Sequence, residues 1–255
     1  MNSFKAYFHK EILESVRKNK YLILGVGFVF WAILNPLMLK LMPYFIKGQV
    51  PDVLLSELAQ ISKLEAIQNY MGDVFSIGLL FTVFSLMGLL ADEIESKRLV
   101  LPYAAGVNPG EIVLAKFLHY TLSLSLFILL GFLVNYYYVD IFFTGEMISF
   151  NQLLPAAVLF MVYYMFIISL ILLFSSLFKT TVPTGISVLI LSFGMSYLQN
   201  LQYINIYLPY NLIAAASRIE GTGDNSLWTT IIITVFLIII LNYTTVYRMQ
   251  KVEVV

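Results

Sequence analysis

The polar residues of this chain crowd into one stretch. From Ala91 to Lys116 it carries the acids Asp92, Glu93 and Glu95 and the basic pair Lys97 and Arg98. A short apolar run with Leu99, Leu101, Pro102 and Tyr103 follows, then a break through Gly106, Asn108 and Pro109 to Gly110, and a restart with Glu111 and Lys116. A glycine-rich turn can cradle phosphate, but Gly106 to Gly110 lacks the lysine and hydroxyl that such a cradle needs, and no G-x-x-x-x-G-K-[ST] sequence occurs. Intramembrane catalysis would ask for a paired acid and base, an H-E-x-x-H helix or a serine–histidine set. The chain offers only His9 and His119, without partners in sequence, and no cysteine, so no thiolate metal site or cysteine nucleophile is expected. What remains is recognition. A short amphipathic element between two turns has the shape that fits a groove on a separate protein.

The elements that must hold this stretch are written in the hydropathy. Of 255 residues 60% are apolar and 12% charged, far from a water-soluble composition, and mean hydropathy is +0.85. Apolar runs long enough for about 30 Å of hydrocarbon occur at about 21 to 43, 72 to 91, 113 to 135, 153 to 178, 182 to 199 and 227 to 247. They lack the alternation of barrel strands, so six helices are expected. The fourth and fifth are parted only by Phe178 to Thr181, which suits a helical hairpin. The expected fold is an all-α integral membrane protein of one domain, since no segment outside the spans is long enough to hold its own core and no repeat or linker is visible.

Lysine and arginine set the orientation. With both termini in the cytoplasm, eleven of the fifteen lie inside, and only Lys40, Lys47, Lys63 and Arg218 lie outside. Fifteen acids balance fifteen bases, and no basic tract suggests nucleic acid as a partner. Residues 1 to 20 are too charged for a cleavable signal. Phe4, Tyr7, Phe8, Ile12 and Val16 instead recur at helical spacing, with Lys5, Lys10, Glu14 and Arg17 around the other side and Glu11 diluting the basic face, as in a helix lying on the inner leaflet. Leu54 to Tyr70 is patterned to cap an outer vestibule or to rest on the headgroups, and Leu212 to Ile219 reads as a re-entrant or interfacial helix. Asp73 reads as an interfacial or capping residue. Asn35-Pro36 reads as a kink whose freed carbonyl a neighbour must satisfy, and serines at 123, 125, 169, 175, 176, 187, 192 and 196 suit close helix packing.

The Ala91 to Lys116 stretch resembles the type-2 permeases of ATP-binding-cassette exporters. Glu93 and Glu95 stand where that family ends its second span in an acidic pair. Leu99 and Leu101 match its leucine-containing stretch, Gly106 to Pro109 its turn, and Glu111 through Lys116 the opening of its third span. Gly106 replaces the usual turn proline and Ala115 the glycine before Lys116. Lys10-Glu11 and Arg17 to Tyr21 are similar to the family's elbow helix, which would include Phe4, Phe8 and Ile12.

The resemblance implies a permease with an elbow helix over 1–20 and a cytoplasmic coupling loop over 92–112. It also implies a second permease subunit, identical or a sister, and a separate ATPase that carries ATP and magnesium, with no cofactor on this chain. The location implied is the plasma membrane, taken as bacterial, and the cargo a small amphipathic, peptide-, drug- or lipid-like molecule moving outward. Two other readings stay open: an ATP-independent secondary transporter and a non-transporting membrane assembly partner.

Overall fold

A computed structural model describes residues 3–46, 61–146, 148–201, 203–218 and 225–251. The described residues form helices and turns without a strand. Among the described residues six helices are long and apolar enough to cross a membrane: Lys20–Phe45, Lys63–Glu95, Pro109–Phe142, Phe150–Phe178, Thr181–Leu198 and Ser226–Gln250. They are called here the first to sixth spans. An N-terminal helix, Ser3–Arg17, precedes them.

The second and third spans outrun their apolar runs. At 1.5 Å per residue each is about 50 Å long, against about 30 Å of hydrocarbon. Their ends are capped and clasped to one another. Ser62 Oγ accepts from the Glu65 amide at 3.2 Å while Glu65 Oε2 accepts from the Ser62 amide at 2.8 Å, a capping box. One residue on, Lys63 Nζ donates to Asp140 of the third span at 2.6 Å. The expected vestibule cap is thereby corrected: Lys63 to Tyr70 begins the second span, and Leu54 to Gln60 lie outside the described residues. The third span starts where Asn108 Oδ1 accepts from the Gly110 amide at 2.9 Å and Pro109 takes the first helical position.

The fourth span is the axle, packed against the third, fifth and sixth. Buried Tyr163, Tyr164, Phe160, Ile167 and Ile171 supply its core faces. Its hairpin with the fifth span matches the sequence expectation: the fourth ends at Phe178, Lys179 turns left-handed (φ 57°), and the fifth begins at Thr181. The helix Asn211–Arg218 buries Leu212, Ile213 and Ala216 against the fourth span. Gln68 ties it to the second span by donating to the Ser217 carbonyl at 2.8 Å; Ile219 lies outside the described residues.

Three irregularities in the first two spans are each met by a partner. Pro36 cannot donate to the carbonyl of Ala32, and Asn135 of the third span does so at 3.2 Å. The first span widens to a π-helical turn over Val26–Phe30 and the second over Val74–Gly78. Tyr70 Oη donates to the Phe28 carbonyl at 3.0 Å, and Tyr164 Oη to the Val74 carbonyl at 2.5 Å. Gly131 lets the third span approach this seam: a Cβ there would meet Tyr70 Oη and lie 2.9 Å from the Phe28 carbonyl oxygen.

Candidate functional site

At one end of the bundle three segments distant in sequence are joined by charge. The N-terminal helix packs along the third span, and the residues it buries completely are Glu11 and Ser15. The sequence expectation placed this helix on the inner leaflet and assigned none of its faces to the bundle. Phe4, Phe8 and Ile12 are only partly covered and Leu13 and Val16 are exposed, so the inward face is led by an acid and the outward side is partly apolar. Burial of Glu11 is tolerable because of what it meets. Lys116 Nζ, 1% exposed, donates to Glu11 Oε1 at 2.7 Å and lies 3.1 Å from Glu93 Oε1. Lys10 bonds Glu93, and lies 3.1 Å from both Glu11 and Glu14. Lys18 closes the outer rim, 2.6 Å from Glu14 and 3.6 Å from Asp92.

A second layer of hydrogen bonds surrounds these charges. Lys20 Nζ donates to Tyr120 Oη at 2.8 Å, and Tyr120 Oη donates to Glu11 Oε2 at 3.1 Å. Ser15 Oγ lies 3.0 Å from His119 Nε2, and Tyr21 Oη lies 3.3 Å from the same nitrogen. Ser15 and His119 are both buried. Glu11, Glu14 and Glu93 bring carboxylate oxygens within 4.8 Å of one another; Lys10 and Lys116 stand among them as the counter-charge.

Electrostatics follow from that geometry. Burial alone would push the Glu11 carboxyl up, but the Lys116 and Lys10 ammonium groups outweigh it and hold the group down at about 2. Glu14 likewise falls to about 2, burial being overcome by its bond to Lys18 and the charge of Lys10. Burial, reinforced by Glu93, pushes the Tyr7 phenol up to about 12. The Tyr103 phenol also rises to about 12, through burial and then Tyr7 and Glu93.

Glu93 is aimed into this knot by a break in the second span. The helix turns irregularly over Met87 to Leu90 and restarts over Ala91–Glu95. Ser175 Oγ of the fourth span accepts from the amides of Leu90 and Ala91 at 3.0 and 2.6 Å. Lys97 then turns left-handed (φ 55°), a short helix Val100–Ala104 follows, and Gly106 turns left-handed (φ 78°). Of the sequence-predicted coupling residues, Glu93, Leu99 and Lys116 are buried. Pro102, Tyr103, Pro109 and Glu111 are half-buried, and Glu95, Lys97, Arg98, Leu101, Gly106 and Asn108 are exposed. Leu101 is 80% exposed, an apolar tip on the short helix Val100–Ala104. Of the predicted elbow residues, Glu11 is in the knot and Arg17 is exposed at its edge, where a cleft of about 410 Å³ is lined by His9, Lys10, Arg17, Lys18 and Arg98 among others.

Sequence reasoning missed a second polar cluster at the opposite end. Asp73 caps no helix: its Oδ2 accepts from Trp31 Nε1 at 2.9 Å and from Asn35 Nδ2 at 2.5 Å, and Asn35 Nδ2 also donates to Asn69 Oδ1 at 2.8 Å. The spacing of Asn69 and Asp73, one helical turn apart, was the available signal.

No family model and no solved structure matches the chain. It is similar to the uncharacterized transmembrane protein YxlG of Bacillus subtilis (strain 168), 24% identical over 182 residues, which cover 71% of this chain and 70% of that protein. Together with six apolar helices, this identifies a multi-pass membrane protein.

Proposed function

We propose that the chain is the membrane-spanning subunit of an ATP-binding-cassette exporter of the type-2 kind, with the charged end of the bundle facing the cytoplasm. One observation carries the reading: the N-terminal helix, the inner end of the second span and the start of the third are fastened by the buried Glu11, Lys116 and Glu93 together with the partly exposed Lys10, and the exposed Leu101 helix projects from that fastening. A push on the projection therefore moves rigid helices rather than a slack loop.

In this reading a cytoplasmic ATPase seats Leu101 and the flanking Lys97, Arg98 and Glu95 in a groove, binds ATP and magnesium itself, and closes on nucleotide. The present chain performs no hydrolysis. Two such permease chains, identical or sister, would be needed for a two-fold assembly. Moving an inward-open to outward-open equilibrium from 1:99 to 99:1 requires about 5.5 kcal/mol of differential binding, which a docked helix on a fastened base can deliver. The cargo would be an amphipathic, peptide-, drug- or lipid-like molecule.

The test is co-purification with a co-expressed ATPase of this class from the same genome. Leu101→Asp, at an exposed site, should abolish capture and substrate-stimulated ATPase activity while leaving thermal unfolding unchanged. Capture that survives Leu101→Asp overturns the docking role, and pumping by the purified chain with no second polypeptide overturns the reading as a whole.

A further inference from the structure

The Asp73 cluster opens onto a pocket of about 320 Å³ lined by Trp31, Asn35, Met38, Leu39, Met42, Phe45, Asn69 and Asp73. Asn35 stands about 22 Å along the first span from Lys20 at the standard helical rise, which places the pocket in the half of the bilayer away from the charge knot. Met38, Met42 and Phe45 are exposed on the bundle's surface, so the pocket is reached from the apolar phase. An ionised carboxylate at this depth is costly unless it is paired or bonded. Trp31 and Asn35 satisfy Oδ2 of Asp73, and among the described residues no donor reaches Oδ1. The described lysines at this end are committed elsewhere: Lys63 pairs with Asp140, and Lys40 lies over the Phe142 ring at 5.3 Å. Asn35, 4% exposed, has an Oδ1 that accepts from none of the described residues.

The lining thus combines one carboxylate with a free oxygen, an indole held beside it, and the soft side chains of two methionines and a phenylalanine. An anion is repelled here, and a small hydrated metal ion would be stripped of water against an apolar wall. A positive centre on an apolar body satisfies each part, by charge at Asp73, by attraction to the Trp31 ring face, and by contact with polarizable sulfur and aromatic carbon. We propose that this pocket is a binding site for a hydrophobic organic cation, its charged centre held by Asp73 and Trp31 and its body by Met38, Leu39, Met42 and Phe45. Binding stands apart from the permease reading; treating the pocket as a place where cargo is taken or released rests on it.

Trp31 and Trp228 are the two tryptophans of the chain, so Trp228→Phe leaves Trp31 as its single tryptophan, lining the pocket and excited selectively at the red edge of protein absorption. The protein, alone in lipid nanodiscs without an ATPase, is titrated with (4-bromobenzyl)trimethylammonium, whose bromine quenches only on contact. The neutral analogue 1-bromo-4-neopentylbenzene, with carbon in place of the ammonium nitrogen, is the second arm. Saturable quenching by the cation is expected, at least about tenfold tighter than by the neutral analogue, with Asp73→Asn erasing that preference. Equal affinity for the two probes overturns the proposal without any change to the pocket, and so does an unaltered preference in folded Asp73→Asn protein. Protection of Trp31 from both probes, as a second permease subunit seated on this face would give, overturns it as well. Because no ATPase is present, failure here leaves the docking of a motor at the opposite end untouched, and failure of that docking leaves this binding untouched.

Discussion

Lys116 sits between two carboxylates with almost no access to water, and its neighbours must be read as a unit. Removing one partner of a buried pair leaves a bare charge and costs about 3–5 kcal/mol, whereas replacing both with apolar side chains can be nearly neutral. Glu11→Leu and Lys116→Met singly should each lower the thermal unfolding midpoint in detergent clearly. The double variant should fall less than the sum of the two, with Glu93 still paired to Lys10. Acid should act on the same residues. Despite burial, the neighbouring lysines hold the Glu11 and Glu14 carboxyls down at about 2 when docked, against 4.5 for an undocked glutamate. Their stabilisation is therefore complete above about pH 4.5, shrinks as pH falls toward 2 and is lost below it. A spin label on Val16→Cys, at an exposed position, should keep constant mobility from pH 7 to 5 and loosen between 4.5 and 2. Glu11 and Lys116 were both legible as polar residues of interest, but not as a pair. The apolar spacing of Phe4, Phe8 and Ile12 marks a face for the leaflet and leaves the face that packs on the bundle unread, because one helix's periodicity carries no information about a lysine buried elsewhere.

The helices themselves were the most legible part, since twenty apolar residues in a row leave few alternatives. Their ends and defects were less so. The caps at Ser62 and Asn108 extend the second and third spans beyond the hydropathy signal, and nothing in a hydropathy plot marks a π-turn. Pro36 did announce a freed carbonyl, and the structure supplies its donor in Asn135. Asn135→Leu should destabilise by about 1–3 kcal/mol, the cost of a buried acceptor left unmet. Adding Pro36→Ala, which restores an amide able to reach Ala32, should recover part of that loss in the same unfolding assay. Gly131→Ala should cost about 1–3 kcal/mol by overpacking the seam with Tyr70 and Phe28, and its unfolding midpoint should fall accordingly.

At the scale of the whole chain, alternation of six spans places Ser96 and Glu146, both exposed, on opposite faces of the membrane. The absence of native cysteine makes a direct check clean. In intact cells a membrane-impermeant maleimide should label Glu146→Cys and spare Ser96→Cys, with the reverse in inside-out vesicles. The pocket around Asp73 was hidden in the sequence because its parts come from Trp31 and Asn35 on one span and Asn69 and Asp73 on the next, each ordinary alone. The knot at the other end bears on how the chain is made. Synthesis delivers Glu11 to the membrane surface long before Lys116 emerges, so the acid waits as a berth for a cation that hydrocarbon would otherwise refuse. Deleting residues 3–17 should then show itself first during biogenesis, as a third span that hesitates at the translocon and is cleared by quality-control proteases, rather than as a finished protein with a missing handle.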